Sequence, residues 1–180
     1  YQDAMGYIQA QSEHDQECLD FISTHFCSPT LCGLLLGKSA RAREKGVSLQ
    51  FDPGCYMTRP FTGLPESELL SIIGNLLDNA IEATQRCEGA HQPVDVLICL
   101  NQRELIIEVA DHGVGIEPTL KDHIFERGVT TKKHGDHGLG LYLIASYVRQ
   151  AGGTIEVADN SPQGTVFSLF IPDRPTVTLP

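Results

Sequence analysis

Asp111-His112-Gly113-Val114-Gly115-Ile116, followed later by His137-Gly138-Leu139-Gly140-Leu141, is the stretch that decides how this chain is read. Gly113 and Gly138, which open the two Gly-x-Gly pairs, stand 25 residues apart. One such pair carries little information, because glycine marks turns of every kind. Two of them behind an Asn-x-x-x-Asn helix, at Asn75 and Asn79, form a constellation. Asp111 ends the apolar run Ile106-Ile107-Glu108-Val109-Ala110, which reads as a strand. A carboxylate at a strand tip can accept a hydrogen bond from an adenine amino group. Gly113 and Gly115 let the chain turn away close beneath the ring. Gly135, Gly138 and Gly140 surround a helix start whose free amides and dipole attract phosphate. These residues point to a nucleotide site.

The upstream helix supplies the third component. In Ile72-Ile73-Gly74-Asn75-Leu76-Leu77-Asp78-Asn79-Ala80-Ile81-Glu82-Ala83, the residues Asn75, Asn79 and Glu82 fall at i, i+4 and i+7 on one face. Leu69, Leu70, Ile73, Leu76, Leu77 and Ala80 cover the buried side. An asparagine carbonyl is a neutral oxygen ligand for Mg²⁺, which can then bridge phosphate oxygens. Between Gly115 and Gly138 the sequence is polar and irregular, a loop-type lid with Phe125 as its one large apolar anchor. Arg127, Lys132 and Lys133 are the nearby cations.

Periodicity organises the rest. Met5, Ile8, Ser12, Asp15, Leu19, Ile22 and Phe26 alternate three- and four-residue steps, a helical seam that reads as one arm of a dimeric hairpin. Ser28-Pro29 is an N-cap followed by proline at the first helical position, and that helix should end at Gly46. Val47, Leu49 and Phe51 alternate as a short strand, and 52–64 is loop. Pro65 starts a long helix running to about Arg86. Val94–Leu100 and Leu105–Ala110 form a hairpin around Asn101-Gln102-Arg103. Gly138 opens a helix that stops at Gly152-Gly153, and Thr154–Ala158 with Thr165–Ile171 make a second strand pair. Locally paired strands with helices on one face predict an α+β two-layer sandwich with an N-terminal helical segment. The expected division is 1–46 for a partial dimerisation helix and connecting helix, 47–172 for the ligand-binding domain, and 173–180 for a loose tail.

Composition narrows the class. The chain is 41% hydrophobic, enough to fill one core. Its net charge of −10 argues against a nucleic-acid partner but not against a nucleotide met by a few local cations. Cys18, Cys27, Cys32, Cys55, Cys87 and Cys99 show no Cys-x-x-Cys or zinc spacing and read as reduced. No apolar run approaches the ~20 residues of a spanning helix. Tyr1 is not an initiator, so the chain reads as a piece of a longer protein.

The five motifs, in order, resemble the ATP-binding catalytic domain of sensor histidine kinases, within the superfamily of Hsp90, DNA gyrase B and MutL. Asn75–Ala80 resembles the N box, Asp111–Gly115 the first glycine box, and Ile124–Gly128 the F box. Gly138–Leu141 resembles the second glycine box and Gly164-Thr165 the last. The phrases Asn79–Ala83 and Phe125–Lys132 are similar to the citrate and C4-dicarboxylate sensors. The resemblance, over about residues 47–172, implies the Bergerat-type histidine-kinase ATPase fold with ATP and Mg²⁺ as ligands. It implies Asn79 as the metal ligand and Asn75 beside the phosphates, both counted as catalytic. Asp111 is implied on the adenine amino group with Thr165 near the same edge. Gly113, Gly115, Ile116, Lys132, Lys133, Gly138, Leu139 and Gly140 are implied around the nucleotide. In the ATP-hydrolysing relatives a glutamate activates water where Asn75 stands, and an amide cannot take that proton. The implied partners are a response-regulator receiver domain and the protein's own dimerisation hairpin, in a homodimer. The implied location is the cytoplasmic side of a bacterial inner membrane. His14-Asp15 mimics a phosphoacceptor pair, but it resembles part of the hairpin's second helix, so the acceptor histidine is expected outside this chain.

Three features read as bland. Gly33–Ser39 is one residue short of a P-loop and lies inside a helical pattern. His134-Gly135-Asp136-His137 reads as polar loop, and His25, His91, His112 and His123 default to packing or surface roles. A freely hydrolysing ATPase and a nucleotide-binding module without transfer activity are the competing readings.

Overall fold

Period-two alternation along three strands decides which side of the sheet becomes the core. The computed structural model describes residues 2–87, 92–129 and 139–173, with the backbone alone for 2–12 and 14. Its elements are α1 (Gln2–His25), α2 (Pro29–Glu44), β1 (Leu49–Phe51), α3 (Glu66–Gln85), β2 (Val94–Leu100), β3 (Glu104–Asp111), α4 (Pro118–Lys121), α5 (Gly140–Gln150), β4 (Thr154–Asp159) and β5 (Thr165–Pro172). Val94, Val96, Ile98 and Leu100 of β2 face inward, as do Leu105, Ile107 and Val109 of β3 and Phe167, Leu169 and Ile171 of β5. The registers bring these positions opposite one another, Ile98 to Ile107 and Ile107 to Leu169, so one face of the sheet is a continuous apolar surface.

The sheet runs β1-β2-β3-β5-β4. The two expected hairpins are present and meet through an antiparallel β3–β5 pairing. β1 adds parallel to β2, with only three residues. α3 and α5 pack on the sheet, α2 packs on α3, and α1 on α2. The α+β two-layer architecture expected from the pattern is the one observed, with helices as the second layer. α4 inside the polar stretch was not anticipated.

The caps behave as the sequence chemistry requires. Ser28 Oγ accepts from the Leu31 N–H at 3.2 Å, with Pro29 opening α2. At its other end the Gly46 N–H donates to Arg43 O and the Val47 N–H to Ala42 O, both at 2.9 Å, a Schellman closure. α3 carries Glu66 and Glu68 in its first turn, where the helix dipole favours them. Its buried arc is wider than the sequence reading allowed. Ile72 and Ile81 are buried and Leu70 is only partly so, because α3 is covered by the sheet on one side and by α2 on another.

α1 joins its own domain at its C-terminal end. Ile22 and Phe26, two positions of the expected seam, lie in the core, whereas Leu19 is 40% exposed. Asp15, another seam position, pairs with Arg43 of α2. The P-loop-like Gly33–Ser39 sits inside α2, and its Lys38 Nζ donates to Asp78 Oδ2 of α3 at 2.6 Å. That bond fixes α2 against α3.

The far end of the sheet is closed by Asp173, which the sequence reading assigned to the loose tail. Its carboxylate is buried and accepts from the Thr62 N–H (3.0 Å), the Thr62 hydroxyl (2.8 Å) and the Arg59 guanidinium (2.5 Å). The remainder of that tail, 174–180, lies outside the described residues. Burial opposes the Asp173 charge, but the Thr62 and Arg59 donors together hold its carboxyl below the ordinary carboxylate range. A depressed folded value means the stabilisation is present above the unfolded carboxylate range, about pH 4, and is lost as pH falls through the folded value. Asp173→Asn should therefore cost about 1 kcal/mol at pH 7 and nothing once the wild-type carboxyl is protonated, read by urea unfolding across that range.

Candidate functional site

β3 carries the apolar inward series one step further than its hydrophobic residues do. After Leu105, Ile107 and Val109, the next inward position is Asp111, which is 3% exposed and stands opposite Thr165 of β5. Its Oδ1 accepts from the Gly113 N–H at 2.8 Å and from the Thr165 N–H at 3.3 Å. Among the described residues Oδ2 has no hydrogen-bond partner, and Asp111 lies on the wall of a cavity. Burial pushes the carboxyl above its ordinary value, and the two N–H groups and His112 pull it back only in part. A group that gains a donor at Oδ2 would be repaid for that desolvation.

The strand tip is braced from two sides. A Cβ on Gly113 would lie 2.5 Å from the Ala83 carbonyl carbon and 2.6 Å from its oxygen, so this backbone closes directly onto α3. Behind it the Asn160 amide donates to Asp111 O at 2.8 Å and the Gln163 amide to Gly113 O at 2.8 Å, both from the β4–β5 turn. His112 is held between Asn160 (Nδ1 to Nδ2, 3.3 Å) and Asp95 (Nε2 to Oδ2, 3.5 Å). Gly115 then turns the chain at φ +73°, a conformation that favours glycine.

α3 forms the opposite wall. Asn75, Asp78, Asn79, Glu82, Ala83 and Arg86 line a cavity of about 310 Å³ with Asp111, Gly115, Ile116 and Thr165, within the size range of small-ligand sites. Gly140, at the start of α5, completes the other end. A Cβ there would lie 2.9 Å from Asn75 Oδ1, so the amide oxygen points at the helix start. The Asn75 Nδ2 donates to Ser71 O at 2.7 Å, which fixes that orientation.

Of the residues the sequence marked, the structure therefore gathers Asn75, Asn79, Asp111, Gly115, Ile116, Gly140 and Thr165 around one space. Gly113 stands behind the wall, as a packing requirement, and Leu139 is outside it. Lys132, Lys133 and Gly138 lie outside the described residues, as do Gly135 and the His134–His137 segment. Phe125 is half-buried, edge-on to Phe167 with ring centroids 6.4 Å apart. The deeper anchor is Ile124, 4% exposed and on the cavity wall. The sequence reading missed Ile124, and it missed Asp78, Arg41 and Arg86 as wall residues. Asp78 and Arg86 had a legible signal, since they share the helix face that Asn75 and Asn79 define. Arg41 had none, because α2 is distant in sequence.

The donor set suits a cation brought in by a nucleotide. Asn79 offers a neutral oxygen with Glu82 beside it, and among the described residues no cluster of three His, Cys, Asp or Glu forms a cage. Mg²⁺ commonly takes one or two protein oxygens and completes its shell with water and phosphate.

The chain's sequence and shape place it among known proteins. Residues 65–175, well over half of the chain, match the family described as histidine kinase-, DNA gyrase B-, and HSP90-like ATPase. It is 49% identical to the sensor histidine kinase CitA of Klebsiella pneumoniae, an alignment covering 96% of this chain and 31% of that protein. It is 32% identical to a probable C4-dicarboxylate sensor kinase of Halalkalibacterium halodurans, over 95% of this chain and 32% of that one. The chain thus spans about a third of the length of these relatives. Among solved structures it resembles full-length ShkA in complex with AMPPNP, with a TM-score of 0.59 and 26% identity over 78% of this chain and 29% of that chain. The strand-tip aspartate, the paired asparagines and the glycine turns stand around one shared cavity, and the chain belongs to the histidine kinase-, DNA gyrase B-, and HSP90-like ATPase family.

Proposed function

We propose that this domain moves the γ-phosphoryl group of Mg-ATP to a histidine outside the chain, for relay to the receiver domain of a response regulator. The observation that carries this reading is the shared cavity, with Asp111 at one end and Asn75 and Asn79 along its wall. In the reaction the β–γ bridging P–O bond breaks, an N–P bond forms on the acceptor imidazole, and ADP leaves. The Asp111 Oδ2 accepts from the adenine amino group, and Thr165 lies beside the same edge. Asn75 and the start of α5 hold the phosphates, and Asn79 presents its carbonyl oxygen to Mg²⁺. Mg²⁺, when bound, neutralises charge on the phosphoryl oxygens. Every remaining contribution is positioning, which suits a transfer with little covalent chemistry for the protein to perform.

Free hydrolysis is disfavoured by the same geometry. Asn75 is neutral and cannot deprotonate water. Asp78 is held by Lys38, and Glu82 lies almost two helical turns from Asn75 toward the base end. The seam helix α1 is proposed as one arm of a dimerisation hairpin in a homodimeric full-length protein, with α2 as the connecting helix and the acceptor histidine outside this chain. His14 falls in α1, and its side chain lies outside the described residues. Among the described residues no helix is long and apolar enough to cross a membrane. A cytoplasmic place for this domain in an inner-membrane protein is part of the proposal.

Two experiments test it. Asp111→Asn keeps an acceptor for the Gly113 and Thr165 amides but presents an amide donor where Oδ2 stands. ATP affinity by calorimetry should fall roughly 100-fold, whereas the fold survives. The sign of the stability change is opposite. A folded carboxyl raised above its unfolded value costs stability as pH rises through that window, so Asp111→Asn should be at least as stable as wild type at pH 7.5, and that advantage should shrink toward pH 4. Wild-type ATP affinity in the variant would remove the base-reading role. The second experiment supplies a complete hairpin with its histidine in trans together with Mg-ATP. Phosphohistidine on the hairpin, with none on this chain alone, is expected; a competent hairpin left unmodified would favour a binding module without transfer activity.

A further inference from the structure

We propose that Arg41, on α2, binds the phosphate chain of the nucleotide, so that a helix outside the residues 65–175 that match the family contributes directly to the site. This rests on the nucleotide reading given above and adds a ligand to it.

α3 serves as a scale for the cavity. At Ala83 its backbone meets Gly113, and at Cys87 the thiol lies 3.6 Å from His112 O, so the Asp111 end of the site stands over this part of the helix. At Asn75 the amide oxygen faces Gly140 and the start of α5. Eight residues of helix separate Asn75 from Ala83, about 12 Å. The base thus belongs near Ala83 and the phosphates toward Asn75. Arg41 reaches the wall beside Asp78, one turn from Asn75, with its Nη1 at 3.8 Å from Asp78 Oδ1. That separation is an ion-pair distance but too long for a hydrogen bond. The side chain is 54% exposed, so its fork of donors is available to a phosphate.

Charge points the same way. Asp78, Glu82 and Asp111 line the cavity, and the cations on its described wall are Arg41 and Arg86. Arg86 adjoins Cys87 at the base end, which leaves Arg41 as the described cation at the phosphate end. Lys38, one turn earlier on α2, plays a different part. It is mostly buried and bonded to Asp78 Oδ2, so it anchors the helix while Arg41 reaches past it. Because Arg41 rides on α2, nucleotide occupancy and the seating of α2 on α3 are thermodynamically linked.

The test compares Mg-ATP with adenosine on wild type, Arg41→Ala and Arg41→Lys, with ATP followed by calorimetry, adenosine by NMR titration and folding by thermal unfolding. Arg41→Ala should weaken ATP by roughly ten- to a hundredfold and leave adenosine within roughly twofold. Arg41→Lys should recover part of the loss, since it keeps the charge but not the planar fork. Unchanged ATP affinity, or equal losses for ATP and adenosine, overturns the assignment. If Arg41→Ala fails to fold, the ATP-to-adenosine ratio of Arg41→Lys decides in the same way. A wild-type chain that binds neither ligand overturns the nucleotide reading itself, and a wild type that binds ATP while both variants match it overturns only the role of Arg41.

Discussion

The site depends on a carboxylate occupying an inward position of a sheet whose other inward positions are apolar. Asp111 continues the series Leu105, Ile107, Val109, and a charge at such a position is costly unless donors reach it. Two backbone N–H groups do, from Gly113 and Thr165, and both converge on one oxygen. The second oxygen is left without a partner among the described residues, on the wall of the cavity between the strand ends and α3. Gly113 prevents a looser arrangement, because its backbone is in contact with the Ala83 peptide. The distance from the carboxylate to the asparagines of α3 is therefore set by backbone-to-backbone packing, which transmits displacement with little slack.

Much of this was legible in the sequence because it is periodic. The inward residues of β2, β3 and β5, the long helix α3 and the capping at Ser28 and Gly46 follow from spacing and residue chemistry alone. Asn75, Asn79 and Glu82 share a wall because their spacing puts them on one helix face. Spacing identifies a face but not what covers it. The antiparallel β3–β5 junction, the parallel β1 edge and the packing of α2 on α3 join segments far apart in the chain, and no local pattern specifies them.

The misreadings share that origin. Leu70, expected on the buried side, is only partly buried, and Ile72, left out of that set, is fully buried, because α3 has two buried sides, which one amphipathic stripe does not convey. Asp173 resembled the start of a polar tail, yet it accepts three hydrogen bonds from residues more than a hundred positions earlier. In both cases the partners that cover the residue, and not its type, decided the outcome.

The seating of α2 also bears on how this domain can be exchanged between proteins. Boundaries drawn at the family match would begin near residue 65 and leave α2 behind. Leu31, Leu35 and Ala42 would lose their cover, and the side of α3 around Gly74, where Leu34 and Lys38 now rest, would meet solvent. A chimera joined at that seam would carry the strand-tip carboxylate and both asparagines intact, yet it would inherit whatever helix its new host supplies as the missing wall. The natural cut for a transferable module lies before the last turns of α1, because Ile22 and Phe26 belong to the same core and the Met57 N–H is bonded to His25 O.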